Sequence, residues 1–194
     1  MKKIFTLCFA IFFFSTINSA QDRPIRVGLK LGTPNWASLN LEYVTTAIDG
    51  KLAASLDFSS ITVNLNLADA KKINFTYFEL GGNYYFNSFD GKGLYGGLSL
   101  NRSSLNGDYY PANIEADDGE FKAEAYFSNI KIGGKWGNSF YFRTEIGYGL
   151  LLSVKAETKY TDPETNTLIK VNELNNVELP SGGLLFNIGF GFAF

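Results

Sequence analysis

The side chains of this 194-residue chain that could do chemistry are carboxylates, amines, guanidinium groups and phenols. Histidine is absent, and the one cysteine, Cys8, sits in an apolar N-terminal run. Without imidazole there is no Ser-His-Asp or Cys-His nucleophile system, no histidine general base and no histidine-ligated metal. One cysteine builds neither an intrachain disulfide nor a zinc cluster. What remains is charge chemistry at isolated positions: Arg26, Lys30, Lys131, Lys135 and Arg143 against Glu42, Asp57, Glu79 and Glu145. The balance of 17 Lys and Arg against 19 Asp and Glu shows no basic stripe for a nucleic acid. No catalytic motif is present, so a non-enzymatic protein without a cofactor is expected.

Those charges stand at alternate positions in segments whose other face is apolar. Ile25, Val27, Leu29 and Leu31 oppose Arg26, Gly28, Lys30 and Gly32; Leu39, Leu41 and Tyr43 oppose Ser38, Asn40 and Glu42. Ala54, Leu56 and Phe58 oppose Ser55, Asp57 and Ser59, after which Ile61, Val63 and Leu65 resume out of phase. Five further segments follow, beginning near Tyr77, Leu94, Asn129, Phe140 and Leu184, the seventh carrying Arg143 and Glu145 on its polar face. Period-two alternation bounded by turn residues predicts eight two-faced strands. No stretch is long and apolar enough for a membrane helix.

Met1 to Ala20 reads as a secretory signal peptide: Lys2 and Lys3, an apolar run from Ile4 to Phe14, then a polar stretch ending at Ala20, with cleavage expected before Gln21. Residues 21–194 then form one domain. The connections after the second, fourth and sixth strands are short and built on Asp49-Gly50, Asp90-Gly91 and Gly137-Asn138. Those after the third, fifth and seventh read as long polar loops, so an antiparallel meander would have one compact and one elaborated end.

Two closed barrels accommodate such strands. In a soluble periplasmic barrel of the lipocalin type, carrying a hydrophobic ligand, the apolar face points inward; in a membrane barrel it points outward. Three features favour the membrane form. Glycine is concentrated on the charge-bearing face, where it would make room inside a narrow barrel. Tyr84, Phe86, Trp136, Phe140 and Phe142 lie beside the short turns on the apolar face, where an interfacial girdle belongs. The chain also stops at a phenylalanine, in phase with the apolar residues before it.

Phe186, Ile188, Phe190, Phe192 and Phe194 carry a resemblance. A last strand of alternating apolar residues ending in phenylalanine looks like the closing strand of outer-membrane β-barrels, and with the signal peptide and strand count the chain resembles the small eight-stranded members of the porin-like superfamily. The resemblance implies an all-β, eight-stranded antiparallel up-and-down transmembrane β-barrel in the outer membrane of a Gram-negative envelope. It further implies a structural, adhesive or narrow-channel role, recognition of the terminal strand by the barrel assembly machinery, and outer-membrane lipid as the surroundings.

With the apolar face turned to lipid, Arg26, Lys30, Glu42, Asp57, Glu79, Lys131, Lys135, Arg143 and Glu145 point into the lumen. Enclosed charges are costly unless paired, so a hydrogen-bonded network that includes Tyr77, Tyr85, Tyr95 and Tyr141 is expected, with Arg143 and Glu145 as the mid-lumen pair. An ion path is the alternative. Residues 102–124 read as an acidic external loop, with a calcium site as a weaker alternative to a solvated one. This loop and residues 155–181 are the expected contacts for an external partner.

Overall fold

The computed structural model describes residues 23–67, 70–87, 90–109, 119–162, 165, 167–171 and 181–194. The expected signal peptide, with Cys8 and the Ala20–Gln21 bond, lies outside them. Among the described residues there is no helix. The strands are β1 (Ile25–Thr33), β2 (Trp36–Val44), β3 (Leu52–Leu67), β4 (Ala70–Tyr85), β5 (Gly93–Tyr109), β6 (Gly119–Gly137), β7 (Phe140–Thr161), the short β8 (Leu168–Val171) and β9 (Gly182–Ala193).

Every pairing is antiparallel. β1 to β7 pair in sequence order, β9 joins β7, and β9 also pairs with β1, so eight strands close on themselves. β8 is no barrel stave; it pairs only with the far end of β7, Thr158 to Thr161. The seam runs from Arg26 opposite Ala193 to Thr33 opposite Phe186. The tight turn before β3 places Asp49 and Gly50 at φ of 55° and 75°, the left-handed region that Asp tolerates and Gly favours.

Along the first part of each strand from the short-turn end, the apolar face points out. Leu98, Ile132, Ile146 and Leu184 are each more than 60% exposed, while Arg26, Lys30, Glu42, Asp57, Glu79, Lys131, Lys135, Arg143 and Glu145 are buried in the lumen. This is the reverse of a soluble calyx. Glycine creates the room inside: a Cβ on Gly28 would stand 2.6 Å from the Tyr141 hydroxyl, and one on Gly133 2.6 Å from that of Tyr95. The short-turn end is plugged by Val44, Ala53, Tyr85 and Tyr95. Around it Tyr84, Phe86, Trp136, Phe140 and Phe142 are all exposed on the outer face, with Phe140 edge-on to Phe192 at 5.4 Å and Trp136 stacked near Phe142 at 6.4 Å.

The elaborated end differs from the expectation. β3 and β4 continue to Leu67 and from Ala70, separated by two residues, so the stretch read as a long loop is mostly hairpin. Residues 102–109 and 119–124 likewise belong to β5 and β6, leaving only 110–118 between them, and 155–161 belongs to β7. Glu115, Asp117 and Asp118, and with them the calcium alternative, lie outside the described residues.

These strand extensions carry an inverted pattern. Register keeps cross-strand partners on one face, and Ile61 pairs with Phe75, Phe75 with Leu105, Leu105 with Ala123, and Ala123 with Ala156, all continuing the inward side. Outward now stand Thr62, Asn74, Arg102, Glu124 and Lys155. The phase break after Ser59 is therefore an exchange of the apolar and polar faces and not a break in the strand. A bulge on β7 opposite Tyr126 and Phe127 moves its inward positions from Leu151 to Val154. Apolar-out becomes polar-out above a level marked by Phe58, Phe78, Leu100 and Tyr126.

Candidate functional site: a charged lumen under an apolar cup

β1, β2, β6 and β7 bring four charges to the short-turn end. Glu42, fully buried, is the centre. Its Oε1 accepts from Arg26 Nη1 at 3.1 Å, from the Tyr85 hydroxyl at 2.9 Å and from Lys135 Nζ. Its Oε2 accepts from Arg143 Nη2 at 2.9 Å and Asn83 Nδ2 at 3.1 Å. Lys135 Nζ also donates to the Tyr85 hydroxyl at 2.8 Å and lies 5.0 Å from the centre of the Tyr141 ring. Arg26 Nη1 reaches the Gly91 carbonyl at 2.7 Å, tying the lumen to the turn below it.

Deeper in, the balance reverses. Lys30 Nζ sits 2.7 Å from both Asp57 Oδ2 and Glu145 Oε2. Asp57 Oδ1 accepts from Asn40 at 2.7 Å, and Glu145 Oε1 from the Tyr95 hydroxyl at 2.7 Å. Glu79 accepts from Lys131, from the Tyr77 hydroxyl and from Asn129 Nδ2, the last at 2.8 Å. Three cations thus surround one carboxylate near the short turns, while two cations face three carboxylates above. Burial in a low-dielectric lumen makes either group costly alone. Together they fill the cross-section with paired charges and leave no continuous row of one sign.

The expected mid-lumen pair is only a secondary contact. Arg143 Nη1 lies 3.6 Å from Glu145 Oε1, but the shorter bond of Arg143 goes to Glu42 and those of Glu145 go to Lys30 and Tyr95. Arg143 reaches across to Glu42 on β2 while Glu145 meets Lys30 on β1 and Tyr95 on β5, so two-residue spacing brings the pair near without making them each other's best partner. Arg143 links the two groups. Tyr77, Tyr85 and Tyr95 donate to carboxylates, whereas the Tyr141 hydroxyl has no hydrogen-bond partner among the described residues. Tyr141 serves through its ring, over which Arg143 also lies at 5.8 Å. The amides of Asn40, Asn83 and Asn129 complete the shells; their only sequence signal is their place on the polar face.

Phe186, Ile188, Phe190, Phe192 and Phe194 all face outward on β9 and are exposed. Phe194 closes the seam through two backbone bonds with Ile25, at 2.8 and 3.2 Å. Outside the belt, Glu124 lies 2.7 Å from Arg102 and 2.8 Å from Lys122, whose hydrogen bonds hold its carboxyl down at about 2.

Above the lumen, sequence reasoning missed a cup. Ala125, Phe127, Leu151, Val154 and Leu185 line a cavity of about 270 Å³ whose floor includes Asn101 and Asn129. It adjoins a shallower hollow of about 680 Å³ over the β1–β2 hairpin, lined by Pro34, Trp36, Phe75 and Ser103. The signal lay in the out-of-phase Ile61 and Val63.

No family model matches the chain, and no curated protein matches it. Among solved structures, the chain is similar to the crystal structure of Acinetobacter baumannii CarO, at 11% identity and a TM-score of 0.48, over 91% of this chain and 100% of that one.

Proposed function

We propose that the chain is an integral outer-membrane β-barrel, exported by its N-terminal leader, that acts as a sealed structural or adhesive scaffold and catalyses no reaction. One observation carries this reading. Every charged side chain in the lower barrel points inward, while the outer surface at the same level is an apolar belt interrupted by Ser128 and Thr144. In water such a surface would be a large exposed patch; in hydrocarbon it is the expected solvation. From Phe78 to Phe86 the belt follows about 26 Å of strand at ~3.3 Å per residue, enough when tilted to approach the ~25 Å apolar band of such barrels.

The paired lumen favours a scaffold over a narrow channel, since eight strands leave an interior that side chains fill. The surrounding partner is outer-membrane lipid. During biogenesis Phe186, Ile188, Phe190, Phe192 and Phe194 present the terminal strand to the barrel assembly machinery. The strand extensions within 102–124 and 155–181, with the segments joining them, stand clear of the belt as the surface for an external ligand.

The test is fractionation of an expressing cell, followed by electrophoresis of the membrane extract heated and unheated, and a planar-bilayer recording. The reading expects a heat-modifiable outer-membrane band and no ohmic conductance. A soluble periplasmic protein would overturn the membrane placement; steady single-channel openings would overturn the sealed lumen.

A further inference from the structure

We infer that the cup above the lumen is a binding site for a small uncharged amphiphile, an apolar body of alkyl or single-ring size carrying a hydroxyl or amide head. The walls are apolar: Phe127, Val154 and Leu185 surround the cavity, and among the described residues no charged side chain lines it or the adjoining hollow. An ionised ligand would be desolvated there without a counter-charge.

The floor is polar and unsatisfied. Asn101 is 4% exposed and, among the described residues, neither its amide nitrogen nor its amide oxygen has a partner. Beside it Asn129 spends its Nδ2 on Glu79 and keeps a free oxygen. Buried amides without partners are costly, and a head that both donates and accepts satisfies them where a hydrocarbon cannot. The volume, about 270 Å³, sits at the lower end of small-ligand pockets, too small for a two-chained lipid.

Entry is from the side. β2 begins only at Trp36 while β3 continues to Leu67, so the wall is low over the β1–β2 hairpin, where Trp36 is 70% and Leu184 77% exposed. The side entry rests on the membrane placement proposed above; the cup and its head-group chemistry do not.

The probe is a short-chain alcohol bearing a diazirine, added to the full chain in nanodiscs, photolysed, and mapped by peptide mass spectrometry. Labels are expected on Phe127 and Val154 in the cup and on Ile132 in the belt. Ala125→Trp, which fills the cup, should lower cup labelling by about tenfold or more and leave Ile132 unchanged. Asn101→Leu should lower labelling by the alcohol but not by the matching alkane. Heat-modifiability reports that each variant folds, and Val154→Phe serves as a second filling variant should Ala125→Trp fail to fold. Cup labelling that survives filling, or an alkyl sulfate that labels the cup as well as the alcohol does, overturns the inference. Absence of cup label with the belt labelled does the same, whereas cup label without belt label supports the cup and overturns the membrane placement.

Discussion

Replacing Glu42 by glutamine keeps the shape at the centre of the lower lumen and removes its only negative charge. Arg26 and Lys135 then lose their carboxylate partner in a buried space, and Arg143 keeps only its 3.6 Å contact with Glu145. Each contact near 3 Å represents about 5 kcal/mol of gross attraction at an effective dielectric of ~20. Repulsion among the cations, and the hydration they regain on unfolding, offset most of that. Breaking one buried pair costs about 3–5 kcal/mol in comparable sites, and Glu42→Gln is expected at that level or above. Urea unfolding in phospholipid vesicles, read by the fluorescence of Trp36 and Trp136, would show it as a midpoint lowered by about 2 M for a slope of ~2 kcal/mol/M. Lys135→Met reverses the logic, because it leaves one carboxylate between two guanidinium groups. It should cost less than Glu42→Gln, and the double variant should be more stable than Glu42→Gln alone. A loss below about 1 kcal/mol for Glu42→Gln, or a larger loss for Lys135→Met, would refute the account of the lumen.

Other expectations concern the belt, the lumen wall and the extension. Ile132→Lys, 61% exposed in mid-belt, should cost about 2–4 kcal/mol in vesicles, whereas Thr62→Lys on the outer face of the extension should cost less than ~1; equal costs in the same unfolding assay would remove the boundary between them. Gly133→Val drives a side chain into the Tyr95 ring and, at 2.7 Å from its Cβ, the Thr144 carbonyl, and should abolish the heat-modifiable band, with Tyr95→Ala restoring it only in part because the carbonyl remains; a folded single variant would show that the lumen is not close-packed there. The carboxyl of Glu124 is lowered from 4.5 to about 2, chiefly by hydrogen bonds from Lys122 and Arg102. Its stabilising contribution is therefore complete above pH 4.5 and is lost as pH falls toward about 2. Exposure holds it below ~1 kcal/mol. Glu124→Gln should flatten that acid limb of the stability curve, and salt should do the same; a limb insensitive to both would assign it elsewhere.

The eight staves and their two faces were legible because an apolar outside and a charged inside impose an alternation that runs unbroken through β1, the lower part of β4 and β9. The extensions were hidden by the same rule. Beyond the belt the apolar set changes faces, and Ser60 to Val63 then looks like a failed strand. On β6, small inward residues such as Ala123 and Ala125 leave Glu120, Lys122 and Glu124 to dominate, so a strand reads as an acidic loop. Partner choice in the lumen was less legible still. That the charges share one face follows from alternation, but whether Arg143 finds Glu42 or Glu145 depends on the stagger between β7 and β2 and on the reach of a guanidinium across the lumen.

The seam has a kinetic meaning. Nearly all strand pairs join neighbours along the chain, and hairpins of that kind form early at low entropic cost. The β1–β9 pair instead joins Arg26 to Ala193, and closing a loop of that length costs about 4–5 kcal/mol on the logarithmic scaling. Closure must come after the hairpins. Until it does, β1 and β9 each present a row of unsatisfied amide and carbonyl groups that hydrocarbon cannot solvate. On the membrane placement proposed above, an open curved sheet would have no resting place inside a bilayer, and crossing the membrane and becoming a cylinder would be one step.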